Sequence, residues 1–72
     1  MTEFKRYRSK KIAEARNYVE GEPLSHVVSI SVADIRAGSP KSGDMIARNP
    51  LNHDDQWLIE ARYFAENFEP IE

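Results

Sequence analysis

The chain has 72 residues with 10 Lys or Arg against 12 Asp or Glu, a net charge of −2, and no cysteine. That length supports one domain, and a domain of this size buries only about 60% of the surface its unfolded form exposes. Without cysteine there is no disulfide staple and no thiolate for zinc, which fits a reducing compartment. The longest bulky apolar run is Trp57-Leu58-Ile59, far short of the about 20 residues of a membrane span. The basic start lacks the apolar stretch of a signal peptide, so the expected location is the cytoplasm.

The small net charge hides a strong polarity. Residues 1–16 carry Lys5, Arg6, Arg8, Lys10, Lys11 and Arg16 against Glu3 and Glu14, a balance of +4. Residues 50–72 carry Asp54, Asp55, Glu60, Glu66, Glu69 and Glu72 against Arg62, a balance of −5. Such a layout favours oriented contact with a charged partner, although a solvated head and tail would look the same.

In chain order, residues 1–9 read as an extended, mobile basic arm, and residues 10–72 as one folded domain. Residues 10–20 fit two patterns. Ile12, Ala15 and Val19 have helical spacing, whereas alternation of Ile12, Glu14, Arg16 and Tyr18 with Ala13, Ala15, Asn17 and Val19 suits an edge strand. Gly21-Glu22-Pro23 closes this element. Residues 26–30 read as a strand on the alternation of Val28 and Ile30 with Ser29 and Ser31. A short helix follows, with Ser31 as its cap, Asp34 three residues on and Gly38 as a left-handed stop.

The stretch from Gly38 to Asp44 is turn chemistry. Gly43 permits a backbone that a side chain would oppose, and Asp44 can accept backbone N–H bonds there, so the pair reads as scaffold. Met45-Ile46-Ala47 is a short strand that stops at Asn49-Pro50. Asn52 to Asp55 reads as a polar turn and Gln56 to Ile59 as a strand. A C-terminal helix is expected from Trp57, Ala61, Phe64 and Phe68 at i, i+4, i+7 and i+11, ending at Glu69-Pro70. The sum is a small α+β domain with three or four short strands, a short central helix and a C-terminal helix. Trp57, Tyr63, Phe64 and Phe68 are the expected bulk of the core.

No catalytic set emerges. His53-Asp54-Asp55 lacks the further ligands that zinc requires, since His26 lies far off. There is no G-x-S-x-G elbow and no phosphate-cradling glycine loop. Asp54 and Asp55 are adjacent, so in an extended chain they point to opposite faces. Neither cofactor nor metal is expected, and a binding role is expected instead of an enzymatic one. Lys5, Arg6, Tyr7, Arg8, Lys10 and Lys11 are the candidate partner-binding residues. Cations with Phe4 and Tyr7 interleaved suit nucleic-acid phosphates and base stacking, an acidic protein surface, or simply a solubilising tail.

Tyr7-Arg8-Ser9-Lys10-Lys11, Gly43-Asp44-Met45-Ile46 and the tail from Phe64 to Pro70 together resemble a widespread group of small phage and prophage proteins. The resemblance covers residues 39–69 well, the N-terminal segment loosely, and residues 20–36 not at all. Ile12 departs from it, because the group has proline there followed by a valine-rich strand. The resemblance implies a phage origin. With the absence of a catalytic set, it leads to the expectation of a monomeric regulator that docks on a host protein complex, foremost RNA polymerase. Direct binding of DNA or nascent RNA by the arm is the alternative, and mimicry of DNA by the acidic half a weaker one.

Overall fold

The computed structural model describes residues 2–7 and 11–71, and the architecture is the expected small α+β domain. Four strands, β1 (Glu14–Asn17), β2 (Val28–Ser29), β3 (Met45–Asn49) and β4 (Asn52–Ile59), form one mixed sheet with two helices, α1 (Val32–Arg36) and α2 (Ala61–Asn67). The strand order is β1-β3-β4-β2. β3 pairs antiparallel with both β1 and β4, while β2 lies parallel to β4. Thr2 to Tyr7 have neither helix nor strand. Arg8 and Lys10 of the candidate binding set lie outside the described residues.

The register sorts the side chains. Ala15 opposes Ala47 and Ala47 opposes Trp57, while Met45 opposes Ile59, so these five share one face. Arg16 opposes Ile46, Ile46 opposes Leu58, and Glu14 opposes Arg48, which opposes Gln56; these form the other face. The first face is apolar and the second mixes apolar centre with charged edge.

The core is small. Among the described residues only Ile46, Ala47, Leu58 and Ile59 are buried apolar side chains, all on the two central strands. This corrects the aromatic core expected from the sequence. Trp57 and Phe64 are half-buried, and Tyr63 and Phe68 are exposed. Phe68 instead stacks on Phe64, with ring centroids 5.1 Å apart. Trp57 belongs to β4, not to a helix. Its four-residue spacing from Ala61 is a coincidence between a strand end and a helix start, and the helix closes at Asn67 with Phe68 as its cap.

Three other expectations resolve. Residues 10–20 contain the edge strand and not the helix; all four residues of β1 are exposed, as suits a short edge carrying Glu14 and Arg16. The strand expected at 26–30 shrinks to Val28–Ser29. Asn52 to Asp55 are not a turn but the start of β4, and the turn itself is Pro50-Leu51. The pairing jumps there from Arg48–Gln56 to Asn49–Asn52, so His53, Asp54 and Asp55 are extra residues on the β4 side. Helix α1 forms as read: the Ser31 hydroxyl accepts from the Asp34 N–H at 3.1 Å, and Gly38 has φ +100°.

The elements meet at Asp44, which is 0% exposed. One carboxylate oxygen accepts from the Ser39 hydroxyl at 2.7 Å and the Lys41 N–H at 3.0 Å. The other accepts from the Ala61 N–H at 3.1 Å, the first residue of α2. Its own N–H donates to the Lys41 carbonyl, and its carbonyl accepts from the Tyr18 N–H just beyond β1. Gly43, at φ +96°, makes the turn that delivers Asp44 inward, and a Cβ there would stand 3.4 Å from the Ala61 Cβ. The scaffold reading of Gly43-Asp44 is therefore borne out.

Burial alone would raise the Asp44 pKa. The hydroxyl, the two N–H donors and the Lys41 ammonium at 3.7 Å outweigh it and hold the carboxyl below its ordinary value. Replacing Asp44 by Ala strands a hydroxyl and two N–H groups together, and should destabilise the fold by about 3–5 kcal/mol. Asn keeps one acceptor and should fall between Ala and wild type. Urea unfolding followed by Trp57 fluorescence would rank the three. An Asp44→Asn protein as stable as wild type would contradict the role of the charge.

Candidate binding surfaces

Three surfaces carry the chemistry: the N-terminal arm, the polar sheet face, and an apolar trough on the opposite face. In the arm, Phe4 is 107% exposed and Tyr7 90% exposed. Lys5 and Arg6 between them are exposed too, and enter no ion pair among the described residues. Two exposed cations flanked by two exposed rings thus stand without an ion-pair partner among the described residues. Lys11 stands apart from this group, because it lines the trough near the start of the folded body.

The polar face is a shallow depression lined by Glu14, Arg16, Ser25, Ile46, Arg48 and Gln56. Its arginines are already engaged. Arg48 Nε donates to Glu14 Oε1 at 2.7 Å across the β1–β3 pair. Arg16 grips Glu22 with two nitrogens, at 2.9 and 2.7 Å, and the Val19 N–H adds a third bond at 2.6 Å. That fork closes the turn after β1 and is the bidentate geometry in which arginine–carboxylate pairs are strongest. The Arg16 guanidinium, with the Val19 N–H, holds the Glu22 carboxyl down at about 2. Sequence inspection marked residues 21–23 as a turn but missed this pair, whose only signal was an Arg and a Glu six residues apart. His53 Nε2 approaches the same Glu14 oxygen at 3.7 Å, which places it in a surface charge cluster. Among the described residues no three His, Cys, Asp or Glu converge as metal ligands.

One buried constellation looks chemical at first sight. Lys41 Nζ donates to the Ser39 hydroxyl at 3.2 Å, beside Asp44. A serine nucleophile, however, must have its oxygen open to substrate and its proton directed to a base. Ser39 is buried and its hydroxyl donates to Asp44, so this group acts as a structural clasp.

The trough runs along the apolar face. Residues Lys11, Ile12 and Ala13 cross it and divide it into two depressions of about 470 and 540 Å³. One is lined by Met45, Ile59, Phe64, Phe68 and Ile71, with Glu69 its carboxylate. The other is lined by Pro50, Leu51 and Trp57, with Asp55, which accepts from the Asn49 amide at 3.4 Å, its carboxylate. Ile12, Leu51, Phe68 and Ile71 along it are all exposed, Leu51 to 95%. Nothing in the periodicity announced this trough, because it gathers residues from three distant stretches of chain.

Three carboxyls have lowered pKa values: Glu22, Asp44 and Glu60, the last through the Arg62 and Tyr63 N–H groups it accepts at the start of α2. For a lowered carboxyl, the stabilisation is complete above its unfolded pKa and is lost as pH falls through the folded value. The domain should hold its melting temperature down to the ordinary carboxylate range and lose it steadily below. An NMR titration should place the Glu22 midpoint at about 2, and Arg16→Ala should move it up toward 4.5. A Glu22 midpoint unchanged by that substitution would refute the fork. Compared with protein-family models, with curated proteins and with solved structures, the chain matches none.

Proposed function

We propose that the chain is a phage-encoded, non-catalytic binding protein that docks on a host protein complex, foremost RNA polymerase, and regulates transcription. The observation that supports a docking role is the Phe4-Lys5-Arg6-Tyr7 stretch, whose rings are exposed and whose cations enter no ion pair among the described residues. Exposed aromatic and arginine side chains are the residue types that dominate binding energy when a partner desolvates them. The phage origin and the polymerase rest on the sequence resemblance, which the arm shares.

The mechanism is occlusion or clamping. Lys5, Arg6, Arg8 and Lys10 lie on an acidic surface of the partner, Tyr7 enters a pocket on it, and the folded body blocks a neighbouring site. Such binding regulates only if one conformation of the partner is preferred over another. The same exposed rings and cations favour one further reading, in which the arm follows single-stranded nucleic acid by stacking and phosphate contact.

Fluorescence anisotropy of the labelled chain against purified bacterial RNA polymerase tests the first reading. Binding should be saturable at low salt, and Arg6→Glu with Arg8→Glu should weaken it tenfold or more while the thermal melt stays unchanged. Absence of binding at low salt ends the polymerase reading. A gel-shift with single-stranded RNA and DNA tests the second, which requires affinity to fall with salt at about −0.7 per phosphate neutralised.

A further inference from the structure

We infer that the apolar trough receives the N-terminal arm of a second copy of this chain, so that two copies exchange arms reciprocally into a dimer. The inference goes beyond the polymerase reading and is tested without any partner.

The trough has unmet surface. Ile12, Leu51, Phe68 and Ile71 expose apolar side chains along one continuous face of a very small body. Contiguous exposed apolar surface of this kind marks an interaction site. Its rim says what fits. Asp55 stands at one depression and Glu69 at the other, with Lys11 as the cation between them, and the C-terminal stretch as a whole is acidic. A complementary occupant is an extended segment with aromatic side chains for the two depressions and cations for the carboxylates. The chain carries such a segment itself: Phe4 and Tyr7 bracket Lys5 and Arg6.

That segment does not occupy the trough of its own molecule, since both rings are fully exposed. Lys11, four residues after Tyr7 in the chain, lines both depressions. Two copies facing each other trough to trough therefore set each arm's root beside the other's groove. The contact is self-complementary and closes at two copies, so no open chain of subunits forms. The area suffices. Aromatic side chains bury about 150–250 Å² each, so four rings and the matching trough surface reach the roughly 1,200–2,000 Å² of a stable interface. Because the arm is also the segment assigned to the partner, the dimer would hold it in reserve and release it on dilution or on binding.

Sedimentation velocity of the full chain from micromolar to millimolar concentration is the test, run in parallel with the emission maximum of Trp57. The mass should double with concentration, and Trp57 should shift to the blue in step. High salt should push the dimer back toward monomer. Phe4→Ala with Tyr7→Ala should leave a monomer with unshifted Trp57 at every concentration, and the circular dichroism melt reports whether that variant still folds. Lys5→Glu with Arg6→Glu should do the same, and mixing that protein with a Glu69→Lys, Asp55→Lys protein should restore association. A wild-type monomer at millimolar concentration and low salt overturns the inference. So does a dimer that survives loss of both rings, or a concentration-independent Trp57 shift that needs the arm, which would place the arm in its own trough. Polymerase binding at nanomolar concentration is a separate readout, so either proposal can fail alone.

Discussion

A single buried carboxylate holds together the parts of this fold that its small core cannot. Among the described residues, four buried apolar side chains cover only one end of the β3–β4 ladder, where β3 begins and β4 ends, and neither helix contributes a fully buried side chain. What ties the start of α2, the 39–41 loop and the chain beyond β1 to that ladder is Asp44, through its carboxylate and its own peptide groups. A buried charge is costly unless every lone pair is occupied. Here the donors to the carboxylate come from two separate places, the 39–41 loop and the start of α2, while the Asp44 carbonyl holds the chain beyond β1, so the charge is satisfied only when loop and helix are both in place. That requirement makes Asp44 a check on topology as well as a bond.

The carboxylates at α2 extend the same logic. The first N–H groups of any helix lack internal partners. In α2, Asp44 takes that of Ala61, and Glu60 takes those of Arg62 and Tyr63. A seven-residue helix has little intrinsic stability in water, so its position is dictated by anions at its start and by Phe64 stacked with Phe68 at its end. The consequence is geometric. The apolar face is only partly covered: Ala47 and Ile59 are buried and Met45 and Trp57 half-buried, and the trough lies where Ile12, Leu51, Phe68 and Ile71 stay exposed.

The sequence revealed local structure well and long-range packing poorly, and the particular residues say why. Ser31 and Gly38 announce α1 because capping depends on near neighbours. Gly43-Asp44 announce a turn for the same reason, but the acceptor role toward Ala61 spans seventeen residues and leaves no local trace. β1 was ambiguous because an edge strand exposed throughout has no buried stripe to write into its sequence. Asn52 to Asp55 mimicked a turn because a strand end with extra, unpaired residues needs no apolar alternation. The large aromatics suggested the core because they bury most area. The centre of a four-stranded sheet this narrow instead accepts Ala47, Ile46, Leu58 and Ile59. Of the functional surfaces, the arm was legible as charge and aromatic spacing, whereas the trough was not, being assembled by the fold alone.

The division of labour between the two sheet faces follows from the register. On one face, Glu14 pairs with Arg48, with His53 Nε2 3.7 Å from the same carboxylate oxygen, and Arg16 is locked to Glu22. Paired ions of this sort satisfy one another and leave little field for a ligand. On the other face, alternation places Ala15, Ala47, Met45, Trp57 and Ile59 together, with Asn17 opposite Met45 at the edge. A one-residue slip of β3 against β4 would exchange the two sets and bury the ions. The register that pairs the charges on one face is therefore the same register that gathers the apolar side chains on the other. Lys5 and Arg6 stay outside any ion pair among the described residues, and the apolar side chains gather on the face that carries the trough, as a result of how this chain meets its electrostatic constraints.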